Sequence, residues 1–192
     1  MEKIEMHYAN FRLNDDEFYS FCQQNDNLKF EREPNGTIII MPNTGGKTGE
    51  RNAEINFQLR LWNKQYKNGV MFDSSTAFRL PTSAVRSPDA AWIAAERWNA
   101  LTEREKEQFP PLCPDFVVEL MSATDDLKAA QEKMTKEWIA NGCRLGWLIN
   151  PSEQVSYIYR ANGEMQIIRG FDKKLSGEDV LESFELDLSE LK

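Results

Sequence analysis

The residues best equipped for chemistry in this chain are carboxylates placed where water is scarce. In "PDFVVELMS", Pro114 to Ser122, the residues Phe116, Val117, Val118, Leu120 and Met121 read as a buried strand, and Glu119 sits among them. An ionised carboxylate taken out of water is costly unless a cation or a set of donors compensates it. Asp89, in "SPDAAWI", has a similar setting: Pro88 favours extended entry, and Ala90 to Ile93 continue as an apolar strand. Two carboxylates that converge repel each other, and one takes up a proton unless a cation bridges them. Oxygen ligands completed by water suit Mg²⁺, with Mn²⁺ as its substitute, rather than zinc. Such an ion acidifies a water and offsets the charge that builds on a phosphodiester during displacement; a lysine beside it would position that water. Blander readings stand alongside. Glu119 can be the partner of a structural salt bridge with Lys133 or an arginine, and Asp89 a solvated or turn-forming residue. Asp115 reads as a turn residue at the strand entrance.

Other chemistries are poorly served. The single histidine, His7, lies in a polar segment and reads as a surface residue, so Ser-His-Asp relays, Cys-His relays and multi-histidine metal centres have little to build on. Cys22, Cys113 and Cys143 are odd in number and widely spaced, which fits packing rather than disulfides or zinc. A formal charge of −8 and a pI near 4.9 argue against sequence-blind adhesion to nucleic acid or an anionic membrane, so DNA would have to enter a local positive groove or be held through metal ions. The charged N-terminus has no apolar signal region, and no window resembles a membrane span, so a soluble cytoplasmic protein is expected. At 192 residues, a single domain over 1–192 is the simplest organisation.

Several elements must position the carboxylates. A helix capped by Asn14 is followed by two strands around Pro34-Asn35-Gly36. The loop "NTGGKTG" fails the phosphate-binding template, whose opening glycine falls on Met41, and reads as a lead-in to the next helix. That helix has a stripe of Ile55, Leu59, Trp62 and Tyr66, with Glu54 on its flank and a stop at Asn68-Gly69. Strands follow in "VMFDSSTAFRLP" and "SPDAAWIA", then a charged, proline-rich excursion with a short helix. The strand 115–121, apolar on both faces, is the expected sheet centre, with Asp115, Val117, Glu119 and Met121 on one face. Ser122 or Thr124 is the expected cap of the following helix, whose stripe is Leu127, Ala130, Met134 and Trp138, with Lys133 about 100° away. Three strands, "RLGWLIN", "QVSYIYR" and "EMQIIRG", precede an acidic amphipathic tail expected to pack. The order predicts an α/β or α+β fold with a mixed central sheet.

The succession of "GGKTGERNAEIN", "FDSSTAFRLP", "SPDAAWI", "CPDFVVELMSATDDL", "EKM" and "NGCRLGWLINP" resembles the Uma-two (Uma2) family of endonucleases, within the PD-(D/E)XK superfamily. The resemblance implies a restriction-endonuclease-like core, a central mixed β-sheet flanked by helices with a metal site at one edge. It implies that Asp89 and Glu119 bind Mg²⁺ and that Glu54 gives a supporting contact. The lysine of the motif is expected two residues after Glu119, where Met121 stands; Lys133 in "QEKM" is similar to a lysine the family carries on the neighbouring helix, with Lys128 and Lys136 as rivals. The function so implied is hydrolysis of DNA phosphodiester bonds, with Asp89, Glu119, Lys133 and Glu54 catalytic. Lys47, Arg51, Arg79 and Arg86 are candidate phosphate contacts. A homodimer is suggested by the superfamily. The competing expectation is a catalytically silent domain that keeps the fold for binding or assembly.

Overall fold

A computed structural model describes residues 4–6 and 12–192; His7 lies outside the described residues. The elements in chain order are β1 (Ile4–Met6), α1 (Asp15–Gln24), β2 (Lys29–Arg32), β3 (Ile38–Met41), α2 (Gly46–Tyr66), β4 (Gly69–Asp73), β5 (Phe78–Arg79), β6 (Val85–Arg86) and β7 (Ala90–Ala94). They continue as α3 (Ala95–Asn99), α4 (Glu103–Glu107), β8 (Phe116–Leu120), α5 (Leu127–Lys133), β9 (Leu145–Asn150), β10 (Val155–Arg160), β11 (Met165–Arg169), β12 (Lys174–Ser176) and β13 (Glu185–Asp187). A π turn, Met134–Trp138, extends α5.

The central sheet has six strands in the order β11-β10-β9-β8-β7-β4. Only β8 and β9 run parallel; the other neighbours are antiparallel, so the sheet is mixed as expected. Strand β8 is internal, and alternation divides its side chains between two cores. Phe116, Val118 and Leu120 pack with Ile55, Leu59 and Trp62 of α2 and with the C-terminal residues Phe184, Leu186 and Leu188. Val117 and Met121 pack with Met134 and Trp138 on the opposite face. The acidic tail is therefore a packed element. Each large side chain so buried contributes about 1.5–3 kcal/mol, which is why a helix lies on either face. A five-stranded sheet, β1-β3-β2-β6-β5, carries α1 through Phe18, Phe30, Ile38 and Val85.

Local signals explain most boundaries. Asn14 and Glu17 form a reciprocal capping box at α1. Helix α2 begins at Gly46, so Lys47 and Thr48 belong to its first turn, and it ends on a left-handed Lys67, one residue before the expected stop. Tyr66 is exposed rather than part of the buried stripe. The excursion holds two short helices, α3 and α4, where one was expected. The N-cap of α5 is Asp126, which accepts from the Ala129 N–H; Ser122 and Thr124 lie in the turn before it. Cys113 and Cys143 are buried free thiols. No helix among the described residues is long and apolar enough to cross a membrane.

Gly69, paired with Ala94 at the edge of the central sheet, has no room for a side chain: an added Cβ would stand 2.3 Å from Ile93 O and 2.3 Å from Trp92 Cε2. One of those atoms is backbone and cannot swing aside. Gly69→Ala is expected to lower stability by about 1–3 kcal/mol, read as a lower thermal midpoint; an unchanged midpoint would show that the β4–β7 edge yields without cost.

Candidate active site

The candidate site forms where β7 begins and β8 ends. Ala90 pairs with Val118, and one step further along that antiparallel register brings Asp89 beside Glu119. Asp89 is held at every polar atom. Its N–H donates to Val118 O, Oδ2 accepts from the Leu120 N–H at 2.8 Å, Oδ1 accepts from Asn52 Nδ2 at 2.9 Å, and its carbonyl accepts from Asn56 Nδ2 at 3.1 Å. Asn52 and Asn56 are four apart on α2 and so share a face. Burial raises the Asp89 carboxyl above its ordinary range, despite the Leu120 N–H, Lys133 and Asn52.

Glu119 points to the α5 side of β8. Its Oε1 accepts from Lys133 Nζ at 2.8 Å and from Trp138 Nε1 at 2.7 Å. Burial pushes its carboxyl up to about 7, Lys133 opposing and the charge of Asp89 adding to the rise. Lys133 and Trp138 are five residues apart, which in a regular α-helix sets them about 140° apart. The π turn removes that separation: the Ile139 N–H reaches back to Met134 O, five residues earlier, and both side chains converge on one oxygen. The lysine also lies 5.9 Å from the Trp138 ring centroid. Gly146 of β9 leaves the space under this turn that Met134 fills. Met121, where a lysine was expected, is buried with Val117, Met134 and Trp138.

A third carboxylate, Glu31 of β2, escaped sequence reasoning. It is 2% exposed, accepts from the Ser87 N–H at 3.1 Å, and places Oε1 3.7 Å from Lys133 Nζ. Burial opposes its charge, but Lys133, Arg86 and the Ser87 N–H outweigh burial and hold it below the ordinary range. Burial likewise opposes the charge on Lys133, yet Glu119 and Glu31 hold the ammonium above its usual range. Inside "KFER" only Phe30 beside it hints at burial, because Lys29 and Arg32 replace the apolar run that marks Glu119.

The structure thus brings Asp89, Glu119 and Lys133 together. It turns Glu54 elsewhere: its Oε1 accepts from Gln58 Nε2, and Gln58 in turn ties to the backbone of Asp187. Asn52 and Asn56 supply the contacts from α2 instead, because Glu54 lies about 200° around the helix from Asn52. Lys128 is exposed, and Lys136 is exposed and paired with Glu132, so neither rivals Lys133. Asp115 is a buried structural anchor rather than a turn residue, bound to the Ala94 N–H and to Arg97. Among the suggested phosphate contacts, Arg86 is buried and paired with Glu33 and Glu137, Arg79 pairs with Asp15, and Arg51 Nε donates to Leu191 O. Lys47 alone of the four is exposed. A cleft of about 530 Å³ near Tyr19, Arg79, Arg104 and Phe109 has none of these carboxylates in its lining, and its two arginines pair with Asp15 and Asp16.

Do these residues suit a hard divalent ion? Among the described residues no three acidic, histidine or cysteine side chains form a ready ligand cluster. Two carboxylates are nonetheless adequate for Mg²⁺, which keeps several of its waters. Both are raised by burial, and the charge of Asp89 adds to the rise at Glu119; an added cation relieves both conditions. Asn52 Oδ1, beside Asp89, is a buried acceptor without a donor. The donor set fits.

A mixed sheet flanked by helices on both faces, carrying this cluster at the ends of neighbouring strands, has the fold of a nuclease. The crystal structure of a "putative nuclease belonging to DUF820" from Anabaena variabilis ATCC 29413 is similar with a TM-score of 0.72, at 20% sequence identity, over 93% of this chain and 97% of that one. The chain belongs to the Uma2 family, described as "Putative restriction endonuclease", which it matches over residues 15–189. No curated protein matches it.

Proposed function

We propose that this protein is a Mg²⁺-dependent endonuclease that hydrolyses DNA phosphodiester bonds, with Asp89 and Glu119 holding the ion and Lys133 orienting the attacking water. The observation that carries the reading is the contact of Lys133 with a half-buried carboxylate, Glu119, that shares its strand-end site with a second one, Asp89. Membership of a family of nucleases supports it. When bound, the ion supplies positive charge against the phosphoryl oxygens and acidifies a water. The chain does the rest. The Leu120 N–H and Asn52 fix the Asp89 carboxylate, and Trp138 fixes that of Glu119. Lys133 presents an ammonium held by Glu119 and lying over the Trp138 ring, so little freedom is left to lose when it meets a water or a phosphate oxygen.

A silent binding domain would explain the Glu119–Lys133 ion pair as a structural salt bridge, but not a second carboxylate raised by burial beside it. The decisive experiment incubates the purified protein with supercoiled and linear DNA in Mg²⁺ or Mn²⁺. Cleavage by the wild type is expected to fall by at least about 100-fold in Asp89→Ala and in Lys133→Ala, since charge stabilisation worth several kcal/mol is lost. Equal cutting by all three proteins would mean contamination and sink the proposal.

A further inference from the structure

The geometry points to Glu31 as a positioning residue: it is the anchor that receives the Lys133 ammonium when Glu119 gives its charge to a divalent ion. The inference rests on the metal reading proposed above and goes beyond it by giving the lysine a second, built-in partner.

Lys133 Nζ stands 2.8 Å from Glu119 Oε1 and 3.7 Å from Glu31 Oε1, so the ammonium already lies between two carboxylates. An ammonium has three donors and can lean on either. An ammonium that stayed on Glu119 would repel a cation arriving there, whereas one released to water would lose its aim. Glu31 removes this conflict because it cannot itself move. Its Oε1 is pinned by the Ser87 N–H, and Arg86 Nε faces its Oε2 at 3.8 Å. Arg86 is in turn clamped by Glu33, Glu137 and the carbonyls of Arg32 and Val85. Glu31 belongs to the five-stranded sheet and Glu119 to the six-stranded one, so the lysine bridges the two.

The test compares wild type, Glu31→Gln, Lys133→Met and the double variant for Mn²⁺ binding, together with the side-chain ammonium signal of Lys133 in ¹⁵N-lysine-labelled protein with and without Mg²⁺. Glutamine keeps the acceptor for Ser87 and removes the charge. Glu31→Gln is expected to weaken Mn²⁺ binding about tenfold, the scale of a lost contact behind the ligands. In the Lys133→Met background the same change should matter by no more than about twofold, because the effect runs through the lysine. In the wild type the ammonium should stay protected from water exchange when Mg²⁺ is added; in Glu31→Gln that protection should be lost. If glutamine at 31 disturbs folding, Glu31→Asp, which keeps the charge near Arg86 but withdraws from Lys133, should reproduce the effects on metal binding and exchange. Equal weakening in both backgrounds, or no weakening at all, overturns the role of Glu31 while leaving the metal reading intact. A wild type that binds neither ion overturns the metal reading and this inference with it.

Discussion

Arg86→Ala is expected to destabilise the protein by about 3–5 kcal/mol, the cost of removing one partner from a buried ion pair. Arg86 is 1% exposed, and its guanidinium serves three carboxylates, Glu31, Glu33 and Glu137, as well as the carbonyls of Arg32 and Val85. Glu31 cannot regain hydration when the cation goes, because it is itself 2% exposed. Arg86→Lys should recover little, since a single ammonium cannot supply a planar fork of five donors to so many acceptors. Urea denaturation reads the result: midpoints within experimental error of wild type would show that Arg86 is a bystander.

Glu119→Gln should abolish cleavage and also change how stability depends on pH. The Glu119 carboxyl is raised by burial from 4.5 to about 7. The native protein therefore holds this proton more tightly than the unfolded chain, and stability falls as pH rises between those values, by up to about 1.4 kcal/mol per unit. Asp89, also raised by burial, acts with the same sign, whereas Glu31, held low, contributes below this window. Glutamine removes the contribution of Glu119, so urea midpoints measured at pH 5 and pH 7.5 should converge in the variant. Equal pH slopes in the two proteins would place the rise somewhere other than Glu119. Saturating Mg²⁺ should flatten the wild-type slope as well, because a bound cation keeps the carboxylate ionised.

The frame of the molecule was legible because apolar patterning reports burial directly. An apolar run on both faces announced β8 as internal, and the stripe Ile55, Leu59 and Trp62 announced the packed face of α2. Asp89 and Glu119 stood out as charges in apolar strands. The remainder depended on what periodicity does not encode. An angle of 100° per residue assumes a regular helix, so the π turn that joins Lys133 and Trp138 could not be read from spacing. Glu31 was passed over because its strand carries other charges, Lys29 and Arg32, and burial in a strand of mixed character leaves no apolar signature. Arg86 reads as a candidate phosphate contact because its partners, Glu31 of β2, Glu33 just beyond that strand and Glu137 of the π turn, are remote in sequence. The proline before Asp115 suggests a turn residue, whereas its partners, Ala94 and Arg97, lie some twenty residues back in the chain.

A helix with an extra residue in one turn loses its phase if a single position between 134 and 138 is deleted: the ladder could close into an ordinary α-helix, and every side chain beyond would rotate by about 100°. Trp138 would leave Glu119, and Glu137 would leave Arg86. A one-residue deletion here would therefore act on two sheets at once, while substitutions at exposed positions such as Thr135 and Lys136 leave the phase unchanged. Length, more than composition, is what keeps this short segment in register with both sheets.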